Sequence, residues 1–328
     1  MKRLADQVVV ITGASSGIGR ATALHMAARG ARIVGVARGL AGLASLVREI
    51  EAAGGSALAI PGDVTREDEM RAAARAAVEH FGRLDTWING AGIYIQGRVQ
   101  DIDLDEYRRV IDVNLLGVIN GTRCALEPML RQRSGTIIQI SSILGLHGAP
   151  YTSAYAAAKS GIDGFVDALR GELWGSGVHV AVVYPPTVDT PIYRSARAKL
   201  GTIPLPPPPV VSPELAARVV ADVAERPRRA RTFGAIGHAY QLLIHALPAP
   251  ALDAFLHRAL EISVSDVPAG PDNFHAPSAH HRSSDGWMED GWRGLRVDKV
   301  VRTFPRETAV AAAALGILAV GAARRLVR

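Results

Sequence analysis

Short apolar runs rich in β-branched residues alternate with longer helical stretches along the first 190 residues. Several of these runs are continuously apolar, as expected for parallel strands that are buried on both faces. The predicted strands are Val8–Ile11, Arg32–Val36, Ala57–Ile60, Thr86–Ile88, Thr136–Ile140 and Val178–Val183. The predicted helices include Arg20–Arg29, Ala41–Ala53, Arg66–His80 and Tyr155–Trp174. This alternation predicts an α/β fold with a doubly wound parallel sheet.

The pattern changes after Thr190. Ser212 is a predicted helix cap, because Pro213 follows at the first helical position. The remaining predictions are an extended loop over Pro191–Val211, a last strand near Arg231–Phe233, two helices in Ile236–Leu260 broken at Pro248–Pro250, and a loop over Asp266–Gly294. This change predicts a boundary between a body, 1–235, called the catalytic body because it contains the candidate catalytic residues derived below, and a C-terminal helical extension, 236–328.

The chain ends in an apolar tail, residues 308–323, which contains no charged side chain. The net charge is +6, and the last 33 residues carry +5 of it, on both sides of this tail. A helix of this length spans about 24 Å, less than a ~30 Å hydrocarbon core. Three burial sites remain open for it: the catalytic body, a partner subunit, or a membrane surface whose anionic lipids attract the flanking arginines.

Composition excludes several classes of protein. Cys124 is the single cysteine, so an internal disulfide and a cysteine-based zinc site are both excluded. The first 295 residues carry a net charge of only +1, which disfavours a nucleic-acid binder. We predict no metal site, because the histidines His275, His280 and His281 lie in a Gly/Pro/Ser-rich loop. The first apolar run is too short for a signal peptide, which favours a cytoplasmic protein.

A glycine-rich turn follows the first predicted strand and precedes the first predicted helix. Thr12–Gly19 reads Thr-Gly-Ala-Ser-Ser-Gly-Ile-Gly. Glycines allow a backbone to turn sharply and approach a pyrophosphate, whose charge is stabilised at the helix N-terminus. The position of this turn predicts a dinucleotide-binding site.

The end of the second predicted strand indicates which dinucleotide binds. An acidic residue at this position would select NAD(H) by accepting the ribose hydroxyls. The strand ends instead in Ala37 and Arg38, and the next acid is Glu49. Arg38 would supply a cation for a ribose 2′-phosphate, which predicts NADP(H) as the cofactor and makes NAD(H) the less favoured one.

Ser142, Tyr155 and Lys159 have the residue types of a proton-transfer site. Tyr155 and Lys159 are four residues apart and share one face of a helix. A nearby lysine cation stabilises a phenolate and lowers the phenol pKa, so Tyr155 could donate a proton to a carbonyl oxygen. Ser142 follows a strand and could hydrogen-bond the same oxygen.

Together with the glycine-rich turn, these residues resemble the short-chain dehydrogenase/reductase family. Thr12–Gly19 is similar to its TGxxxGxG motif, and Asn89–Gly92 to its NNAG motif with Gly90 in place of the second Asn. Pro185–Thr190 resembles its PGxVxT segment with Pro186 in place of Gly. The resemblance covers residues 5–235 and implies a Rossmann-type fold.

The resemblance also implies roles for individual residues. The catalytic residues would be Asn114, Ser142, Tyr155 and Lys159. The cofactor-binding residues would be Thr12, Gly13, Ser15, Ser16, Gly17, Ile18, Gly19, Arg38, Asp63, Val64, Asn89, Ala91, Gly92, Tyr155, Lys159, Pro185, Val188 and Thr190. Asn114 would support a water relay, and a homo-oligomer is expected.

The sequence thus predicts an NADP-dependent oxidoreductase that interconverts a ketone or aldehyde and an alcohol. The Pro185–Thr190 segment would lie beside the nicotinamide. The apolar residues that follow it predict an apolar wall, which favours hydrophobic substrates: Ile192, Tyr193, Leu200, Ile203 and Leu205. The alternative is a membrane-associated binding or scaffold protein that uses the fold without turnover, supported only by the long extension and its tail.

Overall fold

The computed structural model describes residues 2–204, 210–261, 264–270 and 272–277. Its strands are β1 Val8–Thr12, β2 Arg32–Ala37, β3 Ser56–Pro61, β4 Thr86–Asn89, β5 Ile95–Gln96, β6 Gly135–Ile140, β7 Val178–Tyr184, β8 Arg197–Ala198, β9 Thr202–Pro204, β10 Ala230–Thr232 and β11 Val264–Pro268. Its α-helices are α1 Gly17–Ala27, α2 Leu40–Ala52, α3 Glu67–Phe81, α4 Leu104–Ile111, α5 Gly117–Gln132, α6 Ile143–Leu146, α7 Ser153–Glu172, α8 Pro213–Glu225, α9 Gly234–Ala246 and α10 Ala249–Glu261.

Seven strands form one parallel sheet in the order β10-β7-β6-β4-β1-β2-β3. The chain builds β1 to β3 outward in one direction and then returns past β1 to build the other half. This order confirms the predicted doubly wound, Rossmann-type sheet. The reversal between β1 and β4 opens a crevice at the carboxyl ends of these strands, where such folds bind ligands.

Alternate residues of the strands face two separate hydrophobic layers. In β1, Val8 and Val10 belong to the core beneath α3, α5 and α7, whereas Val9 and Ile11 belong to the core beneath α1, α2 and α8. All four side chains are fully buried. The continuously apolar strands of the sequence are therefore explained by burial on both faces.

The predicted strand and helix boundaries in the catalytic body agree with the structure to within a few residues. Ser212 caps α8, as predicted, by accepting a hydrogen bond from the Leu215 N–H at 3.3 Å.

Two loop predictions were wrong in part. Pro191–Val211 contains the short strands β8 and β9, and the predicted loop beginning at Asp266 overlaps β11. These strands form through long-range pairing, since β11 runs antiparallel to β9, and such pairing leaves no local sequence signal.

The described part of the C-terminal extension packs on the catalytic body. Tyr240 of α9 donates a hydrogen bond to the His147 carbonyl at 2.8 Å, and Leu252 and Leu256 of α10 are buried in the same core as α7. No helix within the described part of the chain is both long enough and apolar enough to cross a membrane. The apolar tail, 308–323, lies outside the described residues, and the boundary at 235/236 stays a prediction.

Candidate active site

The three predicted proton-transfer residues converge at the carboxyl end of the sheet. Ser142 follows β6, where its side-chain oxygen accepts a hydrogen bond from the Leu144 N–H at 3.1 Å and caps α6. Tyr155 and Lys159 lie one turn apart on α7, with the Lys159 Nζ 5.6 Å from the centre of the Tyr155 ring. All three line a single cavity of about 690 Å³. The cavity runs along the edge of the sheet where the strand order reverses.

Burial sets the protonation states of this group. Burial raises the pKa of Tyr155 to about 12, although a hydrogen bond with Ser142 opposes the rise. Burial also lowers the pKa of Lys159 to about 8, and the ammonium donates a hydrogen bond to the Ile140 carbonyl at 2.8 Å. Desolvation therefore dominates the phenol pKa, and the side chain that lowers it is Ser142 rather than the expected Lys159. Tyr155 holds its proton at neutral pH, as a proton donor must.

Asn114 lies behind the cavity, in a single π-helical turn between α4 and α5. Its side chain is fully buried, donates to the Ile93 carbonyl at 2.9 Å and accepts from the Ile93 N–H at 2.9 Å. Ile93 itself lines the cavity next to Tyr94. The observed contacts of the Asn114 side chain thus hold the loop that forms this wall.

The glycine-rich turn has the geometry that a dinucleotide requires. Gly13 and Gly17 have φ values of 74° and 53°, in the left-handed region that other residues rarely adopt. A Cβ on Gly13 would lie 2.8 Å from the Ala91 Cα, so only glycine allows this approach. Ser15, Ser16, Gly17, Ile18 and Gly19 line the cavity where α1 begins. The free N–H groups of this first helical turn fit a pyrophosphate.

Two of the predicted cofactor-binding residues, Thr12 and Asn89, do not line the cavity, because both side chains are buried in hydrogen bonds within the protein. Their contacts with a cofactor stay a prediction. The Thr12 hydroxyl accepts from the Gly90 N–H at 3.1 Å and joins the two glycine-containing loops. Asn89 bonds to Gln139 at 2.8 Å on the neighbouring strand. Both residues stabilise the loops that line the site.

One end of the cavity is charged. Arg38, Asp63, Val64 and Arg109 line it, and Arg109 pairs with Asp63 at 3.3 Å. Burial and the nearby Arg109 lower the pKa of Arg38, whereas Asp63 raises it. Two guanidinium groups and one carboxylate therefore lie at this end, which gives it a net positive charge that favours an anionic ligand group. Sequence reasoning missed Arg109, because it lies in α4 and belongs to none of the recognised motifs.

Five further residues that were predicted to bind the cofactor line the cavity. Ala91, Gly92, Pro185, Val188 and Thr190 all line it. The carbonyl of Pro185 accepts a hydrogen bond from the Ile143 N–H at 3.1 Å, which fixes this segment against α6. The Pro186 ring also lines the cavity, so the substitution of the usual glycine leaves the wall closed and apolar.

The other end of the cavity is aromatic. The Tyr94 ring meets Tyr155 edge to face at 5.1 Å and Tyr193 at 5.9 Å, measured between ring centres. Ile192 and Tyr193 line the cavity as predicted, whereas Leu200 and Ile203 do not, and Leu205 lies outside the described residues. Pro204 and three side chains that sequence reasoning missed complete the wall, namely Tyr240, Phe255 and Leu256.

Comparison with known proteins agrees with this geometry. The short chain dehydrogenase family model matches residues 7–201. The uncharacterized oxidoreductase YxnA of Bacillus subtilis is 34% identical over 247 residues, which are 74% of this chain and 69% of that protein. A 3-oxoacyl-[acyl-carrier-protein] reductase of Synechocystis is 38% identical over 208 residues, which are 62% of this chain and 84% of that protein.

A solved structure is also similar to this chain. It is an alcohol dehydrogenase from the archaeon Thermococcus sibiricus, complexed with 5-hydroxy-NADP, with a TM-score of 0.61 and 25% sequence identity. The match covers 69% of this chain and 94% of that one. The family match, the parallel sheet and the arrangement of Ser142, Tyr155 and Lys159 lead to one conclusion: this chain belongs to the short-chain dehydrogenase family and is an oxidoreductase of that family.

Proposed function

We propose that the protein is an NADP-dependent carbonyl reductase that acts on bulky, hydrophobic ketones or aldehydes. The observation that carries the proposal is a single cavity with a protonated Tyr155 between an aromatic end and an arginine-containing end. A bound nicotinamide cofactor supplies the hydride to the carbonyl carbon. The protein residues bind the substrate oxygen, supply its proton and exclude water.

Tyr155 is the proposed general acid. A buried phenol that keeps its proton at neutral pH donates it to the oxygen that becomes an alkoxide as the hydride arrives. Ser142 lies beside it and hydrogen-bonds the same oxygen, which keeps the carbonyl in line with the phenol. The buried Lys159 ammonium would provide positive charge near the developing anion and would help to hold the cofactor ribose.

Asn114 has a supporting role in the proposal. Its two hydrogen bonds to Ile93 fix the loop that carries Tyr94, whose ring packs on Tyr155. A water relay that returns a proton to Tyr155 after each turnover would run past this turn. The relay is part of the proposal and rests on the family resemblance.

NADP(H) is proposed over NAD(H) because of the charge at the adenosine end. Arg38 follows β2, where the adenosine ribose of a bound dinucleotide lies in this type of fold. The cofactor complex of the structural relative also contains an NADP derivative. The arginine supplies the donors that a ribose 2′-phosphate accepts.

The substrate class follows from the aromatic end. Tyr94, Tyr193, Tyr240 and Leu256 present rings and methyl groups next to the reacting phenol. Burying apolar surface there stabilises a complex by about 25 cal/mol for each Å² removed from water. Two of the similar proteins are 3-oxoacyl-carrier-protein reductases, whose names describe acyl substrates with a ketone. We propose substrates with an alkyl or ring substituent beside the carbonyl.

A reduction assay tests the proposal directly. The full chain is incubated with NADPH and a panel of ketones and aldehydes graded by size and polarity, and the loss of NADPH absorbance is followed. We expect kcat/KM to rise with the apolar area of the substrate. Faster turnover of small, polar carbonyl compounds would contradict the substrate class, and no turnover of any member would contradict the reductase assignment.

A further inference from the structure

A C-terminal segment of the chain lies across the charged end of the cavity. Residues 272–277, here called the latch, follow β11 in the chain, and Asn273 and Pro277 line the cavity. The segment therefore covers the end where Arg38 lies while leaving the cavity beneath it open. Its residues are more than 230 positions from Arg38 in the sequence and belong to no motif.

Two arginines bind three successive carbonyls of the latch. Arg38 donates from Nη2 to the Asn273 carbonyl at 2.7 Å and from Nη1 to the His275 carbonyl at 3.2 Å. Arg109 donates from Nε to the Phe274 carbonyl at 3.1 Å. Both terminal nitrogens of Arg38 are thus fixed by neutral acceptors, while the guanidinium keeps its charge and its other N–H groups for an anion.

The latch is anchored independently of Arg38. The Asp272 carboxylate pairs with Arg197 at 2.8 Å and also accepts a hydrogen bond from the Phe274 N–H at 3.0 Å. The Phe274 side chain is fully buried, with the Arg197 guanidinium 4.4 Å from the centre of its ring. A buried ring and an ion pair therefore hold the latch backbone in place, which in turn fixes the carbonyls that face Arg38.

We propose that the latch is a specificity-determining element, and that Asp272 and Phe274 are positioning residues that orient Arg38 toward the cofactor ribose. The inference rests on the proposed function, in which Arg38 binds the 2′-phosphate of NADPH. A free arginine side chain loses rotamer freedom when it binds a phosphate, and an arginine already held by the latch loses less. NADPH and NADH differ only in this phosphate, so the latch favours NADPH alone.

Nucleotide affinities of two latch variants test the proposal. Phe274→Ala removes the buried anchor, and Asp272→Asn weakens the ion pair while preserving the ring. Kd is measured by nucleotide fluorescence for NADPH and NADH with the full chain. We expect the NADPH Kd to rise about 3- to 10-fold, as the loss of a modest hydrogen-bond contribution predicts, and the NADH Kd to change by less than about 2-fold.

Asp105→Asn is the matched control. Asp105 is an exposed acid in α4, the helix that carries Arg109, and it pairs with Arg108 at 2.6 Å. Its removal changes a similar charge without touching the latch, so both Kd values should stay unchanged. In an Arg38→Ala background, Asp272→Asn should no longer alter the NADPH Kd, because the residue through which it acts is absent.

The outcomes separate this inference from the proposed function. Equal losses of affinity for NADPH and NADH would contradict the inference, since the latch would then support nucleotide binding in general and not the 2′-phosphate in particular. If the unmodified protein prefers NADPH and the latch variants keep the same preference, only the proposed role of the latch is contradicted. An unmodified protein without any preference for NADPH would overturn both the latch and the proposed cofactor.

Discussion

At the scale of single residues, the site separates side chains that face the cavity from side chains that support it. Tyr155 and Lys159 face the cavity and are almost completely buried, so desolvation dominates their pKa values in opposite directions. Asn114 and Thr12 also occupy positions that the family resemblance identifies, but their side chains bond to the protein backbone. A motif identifies both kinds of residue, and only the three-dimensional contacts distinguish them.

Tyr155→Phe tests the general acid. The variant keeps the ring that packs against Tyr94 and removes only the proton donor. Turnover of a confirmed carbonyl substrate should fall about 10²- to 10⁴-fold, as expected when a general acid is lost. Tyr151→Phe is the control, because Tyr151 lies four residues earlier, is not part of the cavity lining and should tolerate the change. Near-complete activity of Tyr155→Phe would contradict the assignment.

Arg38→Asp tests the cofactor preference. The unmodified protein should have a higher kcat/KM with NADPH than with NADH, because Arg38 would donate charged hydrogen bonds to the 2′-phosphate in the proposed complex. Such bonds contribute about 1.5–3 kcal/mol, which corresponds to roughly 10- to 150-fold discrimination. The aspartate should erase or reverse the preference, since it repels the phosphate and accepts ribose hydroxyls. Equal efficiency of the unmodified protein with both cofactors would contradict the prediction.

At the scale of the elements, the sequence predicted the strands and helices that leave a local pattern and missed the segments that form by pairing with distant parts of the chain. The central strands could be predicted because burial on both faces leaves continuous apolar runs, as in β1. Gln139 in the otherwise apolar β6 had no explanation in the sequence. The register of the sheet supplies it, since Gln139 lies opposite Asn89 of β4 and the two amides form a hydrogen bond. The latch and β11 were missed for the same reason: their partners are distant in the chain.

Gln139→Leu tests the buried network between β4, β6 and α5. Gln139 accepts from Asn89 at 2.8 Å and donates to the Thr122 hydroxyl at 2.9 Å. Its removal leaves buried polar groups with fewer partners, which costs about 1–3 kcal/mol of unfolding free energy. Urea denaturation followed by circular dichroism measures the loss. Adding Thr122→Val should recover part of it, and an unchanged midpoint for the single variant would contradict the role of the network.

At the scale of the whole molecule, the catalytic body and the described extension form one cavity. The glycine-rich turn, the segment after β6 and α7 supply the candidate cofactor-binding and proton-transfer residues, which the sequence motifs predicted. The walls at both ends come partly from the chain after residue 236: Tyr240, Phe255 and Leu256 at the aromatic end, Asn273 and Pro277 at the other. The extension therefore contributes to substrate and cofactor binding in the proposed function. Its residues belong to none of the motifs recognised in the sequence.

The buried Lys159, which has a role in the proposed activity, lowers the stability of the whole protein. Burial lowers its pKa from 10.5 to about 8, so the unfolded chain binds the lysine proton more strongly than the folded chain does. A shift of this size costs the folded protein about 3 kcal/mol at neutral pH. The cost is full below pH 8 and disappears as the pH rises through about 10.5, because the lysine is then neutral in both states.

Lys159→Met should consequently stabilise the cofactor-free protein while lowering its turnover. The methionine removes the buried charge but leaves the Ile140 carbonyl without the 2.8 Å hydrogen bond, so we expect a net gain of about 1–3 kcal/mol at pH 7. The gain should shrink between pH 8 and 10.5, where the unmodified protein recovers its stability. Urea titrations of both proteins across this range provide the measurement. A variant that is less stable than the unmodified protein at pH 7, or a difference independent of pH, would show that the ammonium is not destabilising the fold.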